Sequence, residues 1–228
     1  MSISENLLNI KNHLPNNVTL VAVSKTKPSN DILKAYATGH RIFGENKIQE
    51  MVAKHEELPK DIEWHMIGHI QRNKVKYMAS FVSLIHAVDS LRLLKEINKQ
   101  ALKNNRTINC LLQIKIASEE TKFGLTEAEV KELLASEEFK SFQNIKIVGL
   151  MGMATFTSDK NQLQEEFGLL KNIFDNVCNL KTTNCQLNTL SMGMSDDYPI
   201  ALENGSTMIR VGSSIFGKRA CSIDFNKN

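Results

Sequence analysis

The chain has 228 residues, 42% of them hydrophobic and 23% charged, with a net charge of +3 from 28 basic and 25 acidic side chains. That is enough apolar material for one large domain or two small ones, and single α/β barrels commonly have this size. The basic residues are spread along the chain, without a dense Lys/Arg stripe and interleaved aromatics, which argues against nucleic-acid binding; no stretch is long enough to span a bilayer.

Met1 to Asn6 shows no basic region followed by an apolar one, so no secretory signal is read and a cytoplasmic protein is expected. A short amphipathic helix is predicted over residues 2–13. The run Thr19-Leu20-Val21-Ala22-Val23-Ser24-Lys25 reads as a buried strand closed by a turn at Thr26 to Pro28. Lys25 at its C-terminal end has two readings. It is an ordinary strand-end lysine reaching solvent, or it points into a cavity formed by the strand tops. Desolvation there favours the neutral amine, which forms a Schiff base with an aldehyde.

Ser29 or Asn30 is the expected cap of a helix that stops at Gly39. Residues 41–46 read as strand two and 47–57 as a helix; 63–69 read as strand three and 72–79 as a basic helix, with Arg72, Lys74 and Lys76 on a solvated face. Strand four is predicted at 82–88, followed by a helix opened by Asp89-Ser90. Residues 108–116 form the most apolar strand, and a helix is expected near 126–135. Strand six is placed at 145–151 before a long helix at 159–180, strand seven at 189–192 before a helix at 197–203, and strand eight at 208–212.

Most of these eight strands are too apolar to leave one face in water, which implies parallel pairing with helices outside. The predicted fold is α/β: a single (β/α)8 TIM-type barrel with an extra N-terminal helix, occupying residues 1–228 as one domain. The open doubly wound sheet is the competitor, but no G-x-G-x-x-G follows strand one and no Walker loop is present.

In a barrel each strand end is a candidate site position. Lys25 lies at the first, Glu45 and Asn46 at the second, His69 at the third and His86 to Asp89 at the fourth. Lys115 and Lys122 flank the fifth, and Met151 to Thr155 follow the sixth. The seventh and eighth, where barrels often bind phosphate, offer Ser195 and then Arg210, Gly212, Ser213 and Ser214. Gly212 allows close backbone approach, the serines supply hydroxyls and amides, and Ser195 is equally well placed as a helix cap. An imine-forming lysine and a phosphate cradle in one mouth point to pyridoxal phosphate or a phosphorylated sugar aldehyde.

Other groups carry less. His65 and His69 are too far apart along a strand to share a metal ion easily, and no metal site is expected. His86 and Asp89 suit packing and capping better than acid/base work. Glu45 reads either as a base or as a structural hydrogen-bond partner. Met151, Met153, Met192 and Met194 read either as core or as cavity lining. Cys110, Cys178, Cys185 and Cys221 form no C-x-x-C pair, so neither a zinc knuckle nor a redox motif is indicated.

Taken together, Val-Ala-Val-Ser-Lys25-Thr-Lys-Pro, Phe43-Gly-Glu-Asn46-Lys-Ile-Gln-Glu, Trp64-His-Met-Ile-Gly-His69-Ile-Gln-Arg-Asn73-Lys74, Gly149-Leu-Met-Gly-Met-Ala, Leu190-Ser-Met-Gly-Met-Ser195-Asp-Asp and Arg210-Val-Gly-Ser-Ser-Ile-Phe-Gly-Lys-Arg219 resemble the pyridoxal phosphate homeostasis protein family, in order and across residues 19–219. The resemblance implies a barrel like that of alanine racemase, with pyridoxal 5'-phosphate carried as a Schiff base on Lys25. It implies Arg210 facing the pyridine nitrogen, Asn46 near the ring, and Ser195, Gly212 and Ser213 at the phosphate. Lys122, Lys218 and Arg219 match basic positions used in handling the cofactor. Arg72 departs from a small polar residue in many relatives, outside these motifs.

The implied role is vitamin B6 homeostasis, with apo-enzymes that use the cofactor as recipients. An arginine at the pyridine nitrogen leaves the ring a poor electron sink. Racemases and decarboxylases of this fold add a β domain, for which little sequence follows strand eight. Catalysis is therefore not expected, and neither is a dimer. The alternatives are a racemase of minimal size and an imine-forming, phosphate-binding aldolase.

Overall fold

The computed structural model describes residues 2–118, 123–179 and 182–217. Ser2 caps the first helix, α1 (Ile3–His13). Its hydroxyl accepts the Glu5 amide hydrogen while the Glu5 carboxylate accepts the Ser2 amide, satisfying two donors that a helix start leaves open. Strands and helices then alternate: β1 (Thr19–Val23), α2 (Ser29–Tyr36), β2 (Ile42–Glu45), α3 (Ile48–Glu57) and β3 (Glu63–Met66). A 3-10 helix at Arg72–Tyr77 leads to β4 (Leu84–Val88), α4 (Leu91–Lys103) and β5 (Ile108–Ile114). Next come α5 (Glu127–Ala135), α6 (Glu137–Lys140), β6 (Ile145–Gly152) and α7 (Lys160–Cys178). The described chain ends with β7 (Cys185–Ser191), α8 (Tyr198–Glu203), β8 (Met208–Val211) and α9 (Ser213–Phe216).

Among the described residues the strands pair in parallel in the order β1 to β8 and close into a barrel. The closing seam sets Leu20 opposite Ile209 and Val21 opposite Arg210. The expected (β/α)8 barrel is therefore the observed fold, and the extra N-terminal helix is α1. The Asn6 side-chain amide donates to the Ile215 carbonyl at 3.1 Å and ties α1 to α9.

Two apolar layers hold the barrel. The outer one lies between strands and helices and includes Trp64, Phe43, Phe139 and Phe167, all fully buried. Each such side chain contributes about 1.5–3 kcal/mol. The inner layer is smaller: Val21, Leu84, Leu111, Met151 and Met208 fill the lower barrel. One two-residue step further along the same strands, on the same face, come Val23, His86, Gln113, Met153 and Arg210. The barrel is thus plugged with hydrocarbon below and turns polar toward the C-terminal strand ends.

Several elements differ from the sequence expectation. β1 stops at Val23 because the Lys27 amide bonds back to the Ser24 carbonyl at 3.0 Å, so that Lys25 lies within the turn. Thr26 sits at φ 63°, so Ser24–Lys27 is a type II turn with a β-branched residue where glycine is usual. Such a residue costs of order 1–3 kcal/mol and persists only when its surroundings enforce it. The basic stretch after β3 is a 3-10 helix: Val75 alone buries within it, and i→i+3 bonds at Lys74 and Met78 close it tightly. The helix expected to start on Ser29 or Asn30 is preceded by Pro28, with no side-chain cap bond, and the Ser29 hydroxyl instead donates to Glu57 at 2.6 Å. β7 begins at Cys185, earlier than predicted, since Gln186 and Asn188 alternate outward and dilute the apolar signal. The short helices α6 and α9 have no periodicity long enough to read.

Candidate functional site

A cavity of about 470 Å³ opens at the C-terminal mouth of the barrel. Lys25, Asn46, Ser195, Arg210, Gly212 and Ser213 all line it, so the six residues singled out from sequence meet in one place. They come from the ends of β1, β2, β7 and β8, whose adjacency across the closing seam puts Lys25 beside the Gly212-Ser213 segment.

Each is held by local structure. Gly68 is the close-approach residue behind Asn46: a Cβ at that position would lie 2.3 Å from the Asn46 carbonyl oxygen. Ser195 Oγ accepts the Gly212 amide hydrogen at 3.2 Å, which leaves its own proton to donate elsewhere. Ser213 begins α9, where the first backbone amides are not consumed by the helix. An anion entering this corner meets a hydroxyl donor and backbone N–H groups.

Arg210 rises from the floor. Its guanidinium donates to Ser191 Oγ at 2.6 Å and to the Gly152 carbonyl at 2.9 Å. Burial lowers its pKa to about 10, with Asp197 acting the other way, so it remains cationic at neutral pH. Beneath it runs a buried chain: His86 Nδ1 lies 3.2 Å from Ser191 Oγ and His86 Nε2 lies 3.1 Å from His65 Nδ1. Arg210 is a donor only, so the Ser191 hydroxyl hydrogen points to His86 Nδ1 and the His86 hydrogen sits on Nε2, facing His65. Burial pushes the His65 pKa down to about 3 and His86 well below its ordinary value, so both rings are neutral. This Arg210–Ser191–His86–His65 line was not legible in the sequence. Its only signal is parity, four polar residues each on the inner face of a different strand.

The walls are apolar. Met153 and Met194 line the cavity, whereas Met151 and Met192 are core. Phe123 and Phe156 stand exposed at the rim, and Phe123 stacks on His69 with ring centroids 4.4 Å apart. His69 Nδ1 also lies 3.4 Å from Asp89. Thr155 and Ser118 are drawn together by Glu166 of α7, whose carboxylate accepts from both backbone amides.

Glu45 is absent from the lining. It faces outward under α3, where its Oε1 accepts from the Ser24 hydroxyl at 2.6 Å and from Lys54 Nζ at 2.8 Å. Burial raises its pKa, opposed by Lys54. Of its two readings, the structural one is observed. Lys115 is exposed and outside the cavity. Lys122, Lys218 and Arg219 lie outside the described residues. No helix among the described residues is long and apolar enough to cross a membrane.

The profile of the alanine racemase N-terminal domain matches residues 1–220. A pyridoxal phosphate homeostasis protein of Aquifex aeolicus is 38% identical over 201 residues, covering 88% of this chain and 86% of its own. One of Synechocystis is 40% identical over 208 residues, covering 90% and 94% respectively. Among solved structures, PipY of Synechococcus elongatus with pyridoxal phosphate bound superposes with a TM-score of 0.86 at 34% identity, over 95% of this chain and all (100%) of that one. Alanine racemase of E. faecalis shares the fold at a TM-score of 0.74 with 15% identity, and this chain spans 58% of its length. With a racemase-type barrel and relatives 38% and 40% identical over most of both chains, this chain belongs to the pyridoxal phosphate homeostasis protein family.

Proposed function

We propose that this protein binds pyridoxal 5'-phosphate in the barrel mouth, with Lys25 as its covalent attachment point, and serves vitamin B6 homeostasis without catalysing a reaction of its own. The observation that carries the reading is the convergence of a lysine, a hydroxyl-and-amide corner and a buried arginine on one cavity. The residues fit the group. The Ser195 hydroxyl and the Ser213 amide and hydroxyl offer donors for a phosphate, with Gly212 leaving room for its close approach; Asn46, Met153 and Met194 would flank a ring, and Lys25 would supply the amine. The PipY structure, described as having pyridoxal phosphate bound, supports the same reading.

When bound, the cofactor supplies an aldehyde that forms a Schiff base with an amine, and a ring that withdraws electrons when its nitrogen is protonated. The chain's own residues favour retention over the second property. Arg210 stays charged at neutral pH and offers hydrogen bonds without giving up a proton, so a ring nitrogen that meets it remains unprotonated. The neutral His86 and Ser191 behind it support the arginine and add no acid.

The purified protein is expected to be yellow, and borohydride should fix the vitamer on the peptide containing Lys25. Lys25→Ala should be colourless and yield no labelled peptide. Unchanged labelling in Lys25→Ala, or label on another lysine of the unaltered protein, overturns the assignment.

A further inference from the structure

Lys25 is carried on a turn whose neighbours are held by one network from outside the cavity. Ser24 is fully buried, and each of its polar groups is engaged: the amide donates to the Gly44 carbonyl at 3.0 Å, the hydroxyl to Glu45 Oε1 at 2.6 Å, and the carbonyl accepts from Lys54 Nζ at 2.8 Å. On the other side of Lys25, the Thr26 amide donates to Glu50 Oε1 at 2.6 Å. Lys54 Nζ closes the circuit by donating to Glu50 Oε1 at 2.7 Å and to Glu45 Oε1 at 2.8 Å. Its three protons are then all used, on Ser24, Glu45 and Glu50.

Glu50 and Lys54 are one turn apart on α3, and neither lines the cavity. Their bonds converge on the two residues that flank Lys25, one of which, Thr26, has a positive φ that a β-branched residue rarely adopts. The far end of the turn is fixed as well, since Lys27 Nζ donates to the Phe216 and Gly217 carbonyls at 2.9 and 3.1 Å, beside the Ser213 corner.

We infer that Glu50 and Lys54 are positioning residues for Lys25: they hold the turn that aims its amine, and so set how readily it condenses with an aldehyde. This rests on the proposed role of Lys25. A network serving only to glue α3 to β2 has no reason to grip the Ser24 carbonyl and the Thr26 amide.

The test uses cofactor-free full-length protein mixed with one equivalent of pyridoxal phosphate. Condensation is followed by visible absorbance and by borohydride labelling of the Lys25 peptide, beside total bound vitamer without borohydride and thermal melting. Glu50→Ala, at a partly buried position on the helix surface, should keep its fold and lose about tenfold in labelling, the worth of one charge-assisted bond, while total binding falls less. Glu50→Gln retains an oxygen acceptor for the Thr26 amide and should restore most of the labelling. Lys54→Met should lose more; because it strands Glu45, its labelling is scored only if it folds, and Glu50→Ala decides otherwise.

Equal labelling and absorbance in Glu50→Ala and the unaltered protein overturn the inference, whatever happens to the melting temperature. So does a Glu50→Gln that falls as far as Glu50→Ala. Absence of label on Lys25 in the unaltered protein instead refutes the proposed function.

Discussion

Removing one oxygen atom at the floor of the site, with Ser191→Ala, should destabilise the protein far more than a serine truncation normally does. Ser191 is fully buried and its hydroxyl links a charged partner, Arg210, to a neutral one, His86. It accepts from Arg210 at 2.6 Å and lies 3.2 Å from His86 Nδ1. Losing a hydrogen bond to a charged group costs about 1.5–3 kcal/mol, and leaving a buried ring nitrogen unpaired costs about 1–3 kcal/mol. Arg210 keeps the Gly152 carbonyl, which limits the loss on its side. The expected total is about 2–4 kcal/mol, or roughly 5–15 °C in Tm for a chain of this size. Urea unfolding at pH 7.5 measures it as a fall in the midpoint at constant slope. A change below about 0.5 kcal/mol, the range of an ordinary surface substitution, would refute the network as described.

Two further outcomes follow from buried groups and from packing. His65 and His40 are held by burial at pKa values of about 3 and about 4, below the ordinary 6.5, and His86 lies lower than its ordinary value too. The unfolded chain therefore takes up protons at these sites first as pH falls, so their full contribution is present above about pH 6.5 and is lost below it. With about 1.4 kcal/mol per site and pH unit, the unfolding free energy from urea titrations should drop by about 3–4 kcal/mol between pH 6 and pH 5, with the raised Glu45 carboxyl opposing part of this. A flat profile over that interval contradicts neutral burial. Gly149→Ala should cost about 3 kcal/mol or more, because its Cβ would fall 1.8 Å from the Thr189 carbonyl oxygen where the β6–β7 register shifts. A soluble variant with an unchanged urea midpoint would refute the close approach.

Much of the site was legible because barrel logic maps strand ends onto one mouth. Lys25, Asn46, Ser195 and the Arg210–Ser213 segment are far apart in the chain, yet each lies at or near the end of an apolar run and so shares that mouth. The turn chemistry was less legible. Thr26 occupies a conformation its own preference opposes, so no local rule places Lys25 beyond the strand end. Glu45 shows the same limit. Its parity with Phe43 turns it away from the cavity, but a four-residue strand gives too few positions to read the face from sequence.

What the sequence alone determined is the alternation of eight strands with helices, the closed parallel barrel and the set of strand ends that share its mouth. These follow from local properties, namely apolar runs, turn residues and helix periodicity. Only the tertiary structure decided which polar side chains meet. The Arg210–Ser191–His86–His65 line and the Glu50–Lys54–Glu45 clamp each join residues from several elements. Such contacts depend on strand register and on the face each residue presents, and a one-residue slip would reverse every one of them.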